Sequence, residues 1–206
     1  MPWPPIEHAD YMIVDHYLAS ARRVVSPNVD ARPMGEISLV VLHSISLPPG
    51  RFGGEEVEAL FTNQLDWDAH PFFQSIRGLR VSAHLLIRRD GRCVQFVPFD
   101  QRAWHAGRSC WHGRQALNDF SVGIELEGDA RPFTHAQYQC LVRVLTALED
   151  HYPLINARDW VTHEQVAPLR KTDPGPSLDQ QYLMQLMAGC RGQKDFSSGA
   201  GSCRQA

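Results

Sequence analysis

Apolar positions recur along the chain with two periods, and the places where the period changes mark out the elements. Ser38-Leu-Val-Val-Leu-His43 is a short apolar run rich in β-branched residues and predicts a buried strand that ends at a histidine. Pro48, Pro49, Gly50, Gly53 and Gly54 then forbid a continuing strand, so a loop lies beside the strand end. Glu55 to Thr62 sets Val57, Leu60 and Phe61 on one side and predicts a short helix, whereas Asp66 to Gly78 is aromatic but aperiodic and reads as a loop. From Ser82 to Pro98 the pattern specifies a β-hairpin, with Ala83 to Arg88 and Cys93 to Val97 joined through the turn pair Asp90-Gly91.

A further strand is expected at Ser121-Val-Gly-Ile-Glu-Leu-Glu127, with Val122, Ile124 and Leu126 on one face and Gly123, Glu125 and Glu127 on the other. Thr134 with Gln137 forms a capping box, Tyr138, Leu141, Val142, Leu145 and Leu148 keep helical spacing, and Pro153 marks the stop of what reads as the longest helix. A short strand follows at Asp159 to Thr162, and Ser177 with Gln180 opens a final amphipathic helix to about Ala188. Strands mixed with helices, one connection being a tight hairpin, imply an α/β fold with a mixed central β-sheet flanked by helices. The expected division is an irregular N-terminal segment over 1–16, a single domain over 17–188 and a disordered polar tail over 189–206.

Composition narrows the function classes. The 206 residues, 43% of them hydrophobic, suit one compact domain. A net charge of −3 with no long basic block argues against a nucleic-acid partner. No apolar stretch is long enough to span a membrane, and the first residues lack the basic start and unbroken apolar run of a secretory signal. The expectation is a soluble, cytoplasmic monomer without a membrane partner. The five cysteines are odd in number, scattered and without Cys-x-x-Cys spacing, so neither disulfides nor a cysteine zinc knot is expected. Cys93 and Cys140 read as small buried hydrophobes.

Among ten histidines, His43 ends one strand and His163 follows another, and the turn-rich loop from Glu164 to Pro176 can fold Asp173 back toward His163. A catalytic zinc takes three protein ligands and leaves the fourth position to water. His43, His163 and Asp173 match that count, although each alone also fits a plainer role as a surface histidine or a turn-forming aspartate.

Five segments in order bear on that choice: Val40-Val-Leu-His-Ser-Ile-Ser-Leu-Pro-Pro-Gly50, Arg80-Val-Ser-Ala-His84, Arg102-Ala-Trp-His-Ala-Gly107, Asn118-Asp-Phe-Ser-Val-Gly-Ile-Glu-Leu-Glu-Gly128 and Arg170-Lys-Thr-Asp-Pro-Gly175. From about Tyr17 to Met187 the chain resembles the AmpD-type 1,6-anhydro-N-acetylmuramyl-L-alanine amidases, within the wider phage-lysozyme-type amidase and peptidoglycan-recognition fold. The resemblance implies Zn2+ bound by His43, His163 and Asp173, Glu125 as general base and Lys171 as the cation that stabilises the transition state. It further implies that the substrate is an anhydro-muropeptide of cell-wall recycling, cut between 1,6-anhydro-N-acetylmuramic acid and L-alanine. The chain departs from the family pattern at Ser44, where relatives commonly carry Asn, and at Glu164-Gln165, within a segment that commonly reads His-Cys-x-Ile-Ala-Pro.

Strand pattern alone does not rank Glu125 above Glu127, which shares its face and can simply meet solvent at the strand end; the resemblance selects Glu125. Arg80, His84, Trp104 and His105 read either as substrate contacts along a groove or as ordinary packing and surface residues. The alternatives to the enzyme are a non-catalytic muropeptide-binding module of the same fold and an exported amidase acting on intact wall. The presence of all five metal and catalytic residues favours the enzyme, and the missing export signal disfavours the wall-acting form.

Overall fold

The computed structural model describes residues 11–156 and 159–198, with side chains as far as Arg191. Its main sheet is built from strands that are apolar on both faces. These are β5 (Leu39–Ile45), β6 (Leu85–Ile87), β7 (Cys93–Gln95), β11 (Ser121–Glu127) and β12 (Trp160–Thr162), with β3 (Arg22–Arg23) at one edge. The order is β12-β5-β11-β6-β7-β3. β12, β5, β11 and β6 run parallel, β7 turns back antiparallel to β6, and β3 lies parallel to β7, so the sheet is mixed. Parallel strands are covered on both faces, which explains the unbroken apolar run of β5.

Shorter strands make three separate pairs: β1 (Ile13–Val14) with β2 (Tyr17–Leu18), β4 (Val29–Ala31) with β8 (Gln101–Ala103), and β9 (Cys110–Trp111) with β10 (Arg114–Gln115). The first pair corrects the reading of residues 1–16 as irregular, since Ile13 and Val14 are strand; residues 1–10 lie outside those described. The helices are α1 (Glu56–Phe61), α2 (Pro71–Ser75), α3 (His135–His151), α4 (His163–Val166) and α5 (Gln180–Ser198).

One sheet face, with Val40, Leu42, Leu85, Ile87, Val122, Ile124 and Leu126, is sealed by Leu141, Leu145 and Leu148 of α3 and by Leu183 and Met187 of α5. On the other face Leu86 and Val94 meet Val57, Leu60, Phe61 and Phe73, while Leu39 and Val41 meet Val161, Val166 and Phe120. α3 starts at the expected capping box, in which Thr134 and Gln137 satisfy each other's backbone N–H groups.

Three expectations are corrected. α2 forms inside the stretch read as a loop, because Pro71 presets its first turn and His70 Nδ1 accepts the Phe72 N–H at 3.1 Å. The cap of α5 is Asp179, which accepts the Tyr182 N–H at 2.9 Å; the Ser177 hydroxyl donates instead to the Asp129 carbonyl. α5 also runs past the expected end near Ala188 to Ser198 and so exceeds α3 in length, held by Cys190 against the core and by two hydrogen bonds from Arg191 to Glu149 at 2.8 Å. The helical part of the expected tail ends there, and residues 199–206 lie outside those described. Among the described residues no helix is long and apolar enough to cross a membrane.

Behind β11 lies a buried polar brace. Arg32 donates to the carbonyls of Phe99, Asn118 and Ser121 at 3.1, 3.0 and 2.8 Å. His84 is fully buried beside it, which removes it from any substrate groove and makes it a structural residue. Its Nδ1 accepts the Gly123 N–H at 2.9 Å, so in the neutral ring Nε2 carries the proton and donates to the Gln101 carbonyl at 3.0 Å. Protonation would aim a second N–H at the Gly123 N–H and set a charge next to Arg32, 3.1 Å away. Burial, and after it Arg32, hold His84 down to about 3.

An acid sensitivity follows. The folded-state value lies below the unfolded one of about 6.5, so the stabilisation is complete above about 6.5 and is lost as pH falls toward about 3. His84 alone is expected to contribute a loss of about 1 kcal/mol for each pH unit through that window, read from urea unfolding. The slope should flatten in His84→Asn; an unchanged slope there would place the sensitivity elsewhere.

Candidate metal centre

The parallel register brings chemistry to the carboxyl ends of three neighbouring strands. Glu125 on β11 pairs with His43 on β5, so both side chains leave the same face side by side. Thr162 on β12 pairs with Leu42, which puts His163 one step beyond, next to His43. Thr162 is also the N-cap of α4 in a capping box with Gln165, fixing the turn on which His163 sits. The following loop returns until the Glu164 N–H donates to the Asp173 carbonyl at 2.9 Å, and this closure carries the Asp173 side chain to the two histidines.

His43 Nδ1 and His163 Nδ1 are 2.9 Å apart, and Asp173 Oδ2 lies 3.0 Å from His163 Nδ1 and 3.4 Å from His43 Nδ1. Tetrahedral zinc with bonds of about 2.0–2.1 Å separates its ligand atoms by about 3.3 Å, so the triangle needs to open by only about 0.4 Å on its shortest side to take the ion. Two imidazoles and one carboxylate suit zinc with a position left over, whereas a calcium or magnesium site would call for more oxygen.

The ionisation states agree with ligation. Burial holds His43 down to about 4 against the opposing effect of its hydrogen bond to the Asp173 carboxylate, which leaves a neutral ring. Burial alone would raise the Asp173 carboxyl, but hydrogen bonds with His163 and His43 outweigh it and keep the group ionised well below the usual carboxylate range. Neutral histidine and ionised carboxylate are the forms a metal binds.

A second layer orients these ligands. His43 Nε2 is 2.9 Å from His105 Nδ1, His105 Nε2 is 3.2 Å from Ser121 Oγ, and that hydroxyl donates to the Leu117 carbonyl at 2.6 Å. Once a metal takes Nδ1 of His43, each ring donates from Nε2, and the chain of protons through His105 to Ser121 is consistent. His163 Nε2 lies 3.2 Å from the Ala106 carbonyl, which also accepts from Arg170 at 2.6 Å. Gly123 makes room for this layer: a Cβ there would fall 2.4 Å from the His105 ring. Ser121, Gly123, Ala106 and Arg170 were not singled out by pattern, although a glycine inside a strand is itself a sign of close approach.

Glu125 is buried, and its Oε2 has no hydrogen-bond partner among the described residues. Burial, then the negative charge of Asp173, push its carboxyl well above the usual range, opposed by Lys171. Lys171 is half-buried, and its charge registers at both His43 and Glu125. Glu127 does not meet solvent. Only 3% exposed, it accepts from Arg88 at 2.9 Å, the Gly53 N–H at 2.7 Å and the Arg89 N–H at 3.1 Å, and so clamps the loop after β5 to the end of β6. Arg80 is exposed, and Trp104 is half-buried with its indole N–H donated to Asp30 at 2.7 Å. His105 is committed to His43.

The chain as a whole has relatives among known proteins. The chain is 58% identical to the 1,6-anhydro-N-acetylmuramyl-L-alanine amidase AmpD of Citrobacter freundii over 82% of its own length and 91% of that protein. A crystal structure of a selenomethionine AmpD derivative superposes with a TM-score of 0.83 at 55% identity, covering 85% of this chain and 98% of that one. The Escherichia coli amidase AmiD, solved in complex with anhydro-N-acetylmuramic acid-L-Ala-D-γ-Glu-L-Lys, aligns at 31% identity with a TM-score of 0.53, covering 72% of this chain and 56% of that one. The model of the family described as N-acetylmuramoyl-L-alanine amidase matches residues 33–176, a span that runs from just ahead of β5, which carries His43, to just past Asp173, and the chain therefore belongs to this family of amide hydrolases.

Proposed function

We propose that this chain hydrolyses the amide between 1,6-anhydro-N-acetylmuramic acid and L-alanine in muropeptides of cell-wall recycling, using zinc held by His43, His163 and Asp173. The observation that carries the reading is the register pairing Glu125 with His43, which sets a buried carboxyl beside a ligand triangle close to zinc dimensions. The AmpD and AmiD relatives supply the substrate class.

Zinc in such a cradle supplies Lewis acidity, making water acidic enough to attack near neutral pH and polarising an amide carbonyl. The rest falls to the chain's own groups. Glu125 takes the proton from the attacking water and returns it to the leaving nitrogen; its raised pKa suits a group that must hold that proton between the two steps. Lys171 presents its ammonium to the oxyanion that forms on the former carbonyl. Arg80 offers an unburied guanidinium to a peptide carboxylate and Trp104 the face of its ring, while His105 keeps His43 in its ligating orientation.

The test is product analysis by mass spectrometry after incubation with an anhydro-muropeptide. Free 1,6-anhydro-N-acetylmuramic acid and an intact peptide beginning with L-alanine are expected, with turnover stopped by a chelator and restored by zinc. Cleavage at another bond, or full activity in the chelated protein, would overturn the proposal.

A further inference from the structure

A second chemical site lies on the opposite side of the sheet from the ligand triangle. Cys93 on β7 and Cys140 on α3, 47 positions apart in sequence, bring their sulfurs to 3.0 Å. Both are free thiols, and both line a cavity of about 860 Å³ bounded by the Phe52–Glu55 segment, the β6–β7 turn and the first turns of α3. Pattern reading correctly buries them, but it gives no sign that they meet, because the contact joins a strand to a helix far along the chain.

We propose that Cys93 and Cys140 form a redox site, a dithiol that a peroxide-class oxidant entering through the cavity converts into a disulfide tying β7 to α3. A disulfide of about 2.0 Å requires the sulfurs to approach by about 1 Å, a small side-chain movement. Cys93, 7% exposed against 3% for Cys140, meets the oxidant first. Its thiolate attacks one peroxide oxygen, forming S–O and breaking O–O, and water leaves. Cys140 then attacks the sulfenic sulfur, forming S–S and breaking S–O, and a second water leaves. The two thiols together give up two protons and two electrons, and peroxide is reduced to two waters. A hydrogen bond with Cys140, and burial after it, hold the Cys93 thiol well above its usual range, so Cys93 rests protonated and oxidises slowly.

The experiment uses the full chain carrying Cys110→Ser, Cys190→Ser and Cys203→Ser, so that only this pair remains, incubated for hours with hydrogen peroxide. The expected product is monomeric, lighter by two hydrogens and yields a cross-linked pair of peptides containing Cys93 and Cys140. Closing a loop of 47 residues should raise Tm by about 10 °C, reversibly with dithiothreitol. Adding Cys93→Val or Cys140→Ala, each checked for native Tm under reducing conditions, should abolish both changes. If both thiols still alkylate after oxidation, if the product is an intermolecular dimer, or if the valine variant shows the same Tm rise, the proposal fails.

Discussion

Asp173→Ala is expected to lose zinc and turnover together. Asp173 Oδ2 is the only carboxylate oxygen of the ligand triangle, 3.0 Å from His163 Nδ1 and 3.4 Å from His43 Nδ1, and its negative charge offsets half the charge of a divalent ion in a cleft where both histidines are buried. Removing even an outer-layer partner of a zinc ligand typically weakens binding by about 10–100-fold, so deleting a ligand outright should cost more than about a hundredfold. Metal analysis after dialysis should find close to one zinc per parent chain and little in the variant. Because an ion that binds only the folded state raises its stability, added zinc should also lift the Tm of the stripped parent and leave that of Asp173→Ala nearly unmoved. Equal zinc content and an equal Tm shift in the two proteins would remove Asp173 from the ligand set.

Much of this site is legible before folding because its groups sit on elements with strong local signals. β5 ends near His43 after an unbroken apolar run, β11 alternates so that Glu125 is opposite Ile124, and α3 begins at a capping box visible in Thr134 and Gln137. Each signal lies within a few residues, where period and cap chemistry act. The misreadings concern groups whose roles are set across the chain. Glu127 has the same strand position type as Glu125, yet its fate depends on Arg88 and on the Gly53 amide. His84 sits in a recognisable segment, but its burial comes from Arg32 and Gly123, drawn in from two distant segments. The relay from His43 through His105 to Ser121 uses three segments brought together only by the sheet. α2 is too short to show a period, and α5 gains its extra turns from contacts with α3.

Glu125→Gln should leave a protein that folds, binds zinc and holds substrate but turns it over at least about a hundredfold more slowly, the scale of a lost general acid–base group. Glutamine keeps the shape and removes only the capacity to take and return a proton. Glu125 Oε2 has no hydrogen-bond partner among the described residues, and burial disfavours its charge, so the substitution breaks no ion pair and Tm should hold or rise slightly. Glu127→Gln supplies the opposite case from the same strand face. Its carboxylate accepts from the Arg88 guanidinium and from two backbone N–H groups, so weakening that clamp should lower stability by about 1–3 kcal/mol while the remaining folded enzyme keeps turnover within a few-fold of the parent. Turnover, zinc content and urea unfolding of both variants separate the two roles. Parent-like turnover in Glu125→Gln would end the assignment of the base. A Glu127→Gln protein as stable as the parent but catalytically dead would transfer that role to Glu127, two residues along the strand.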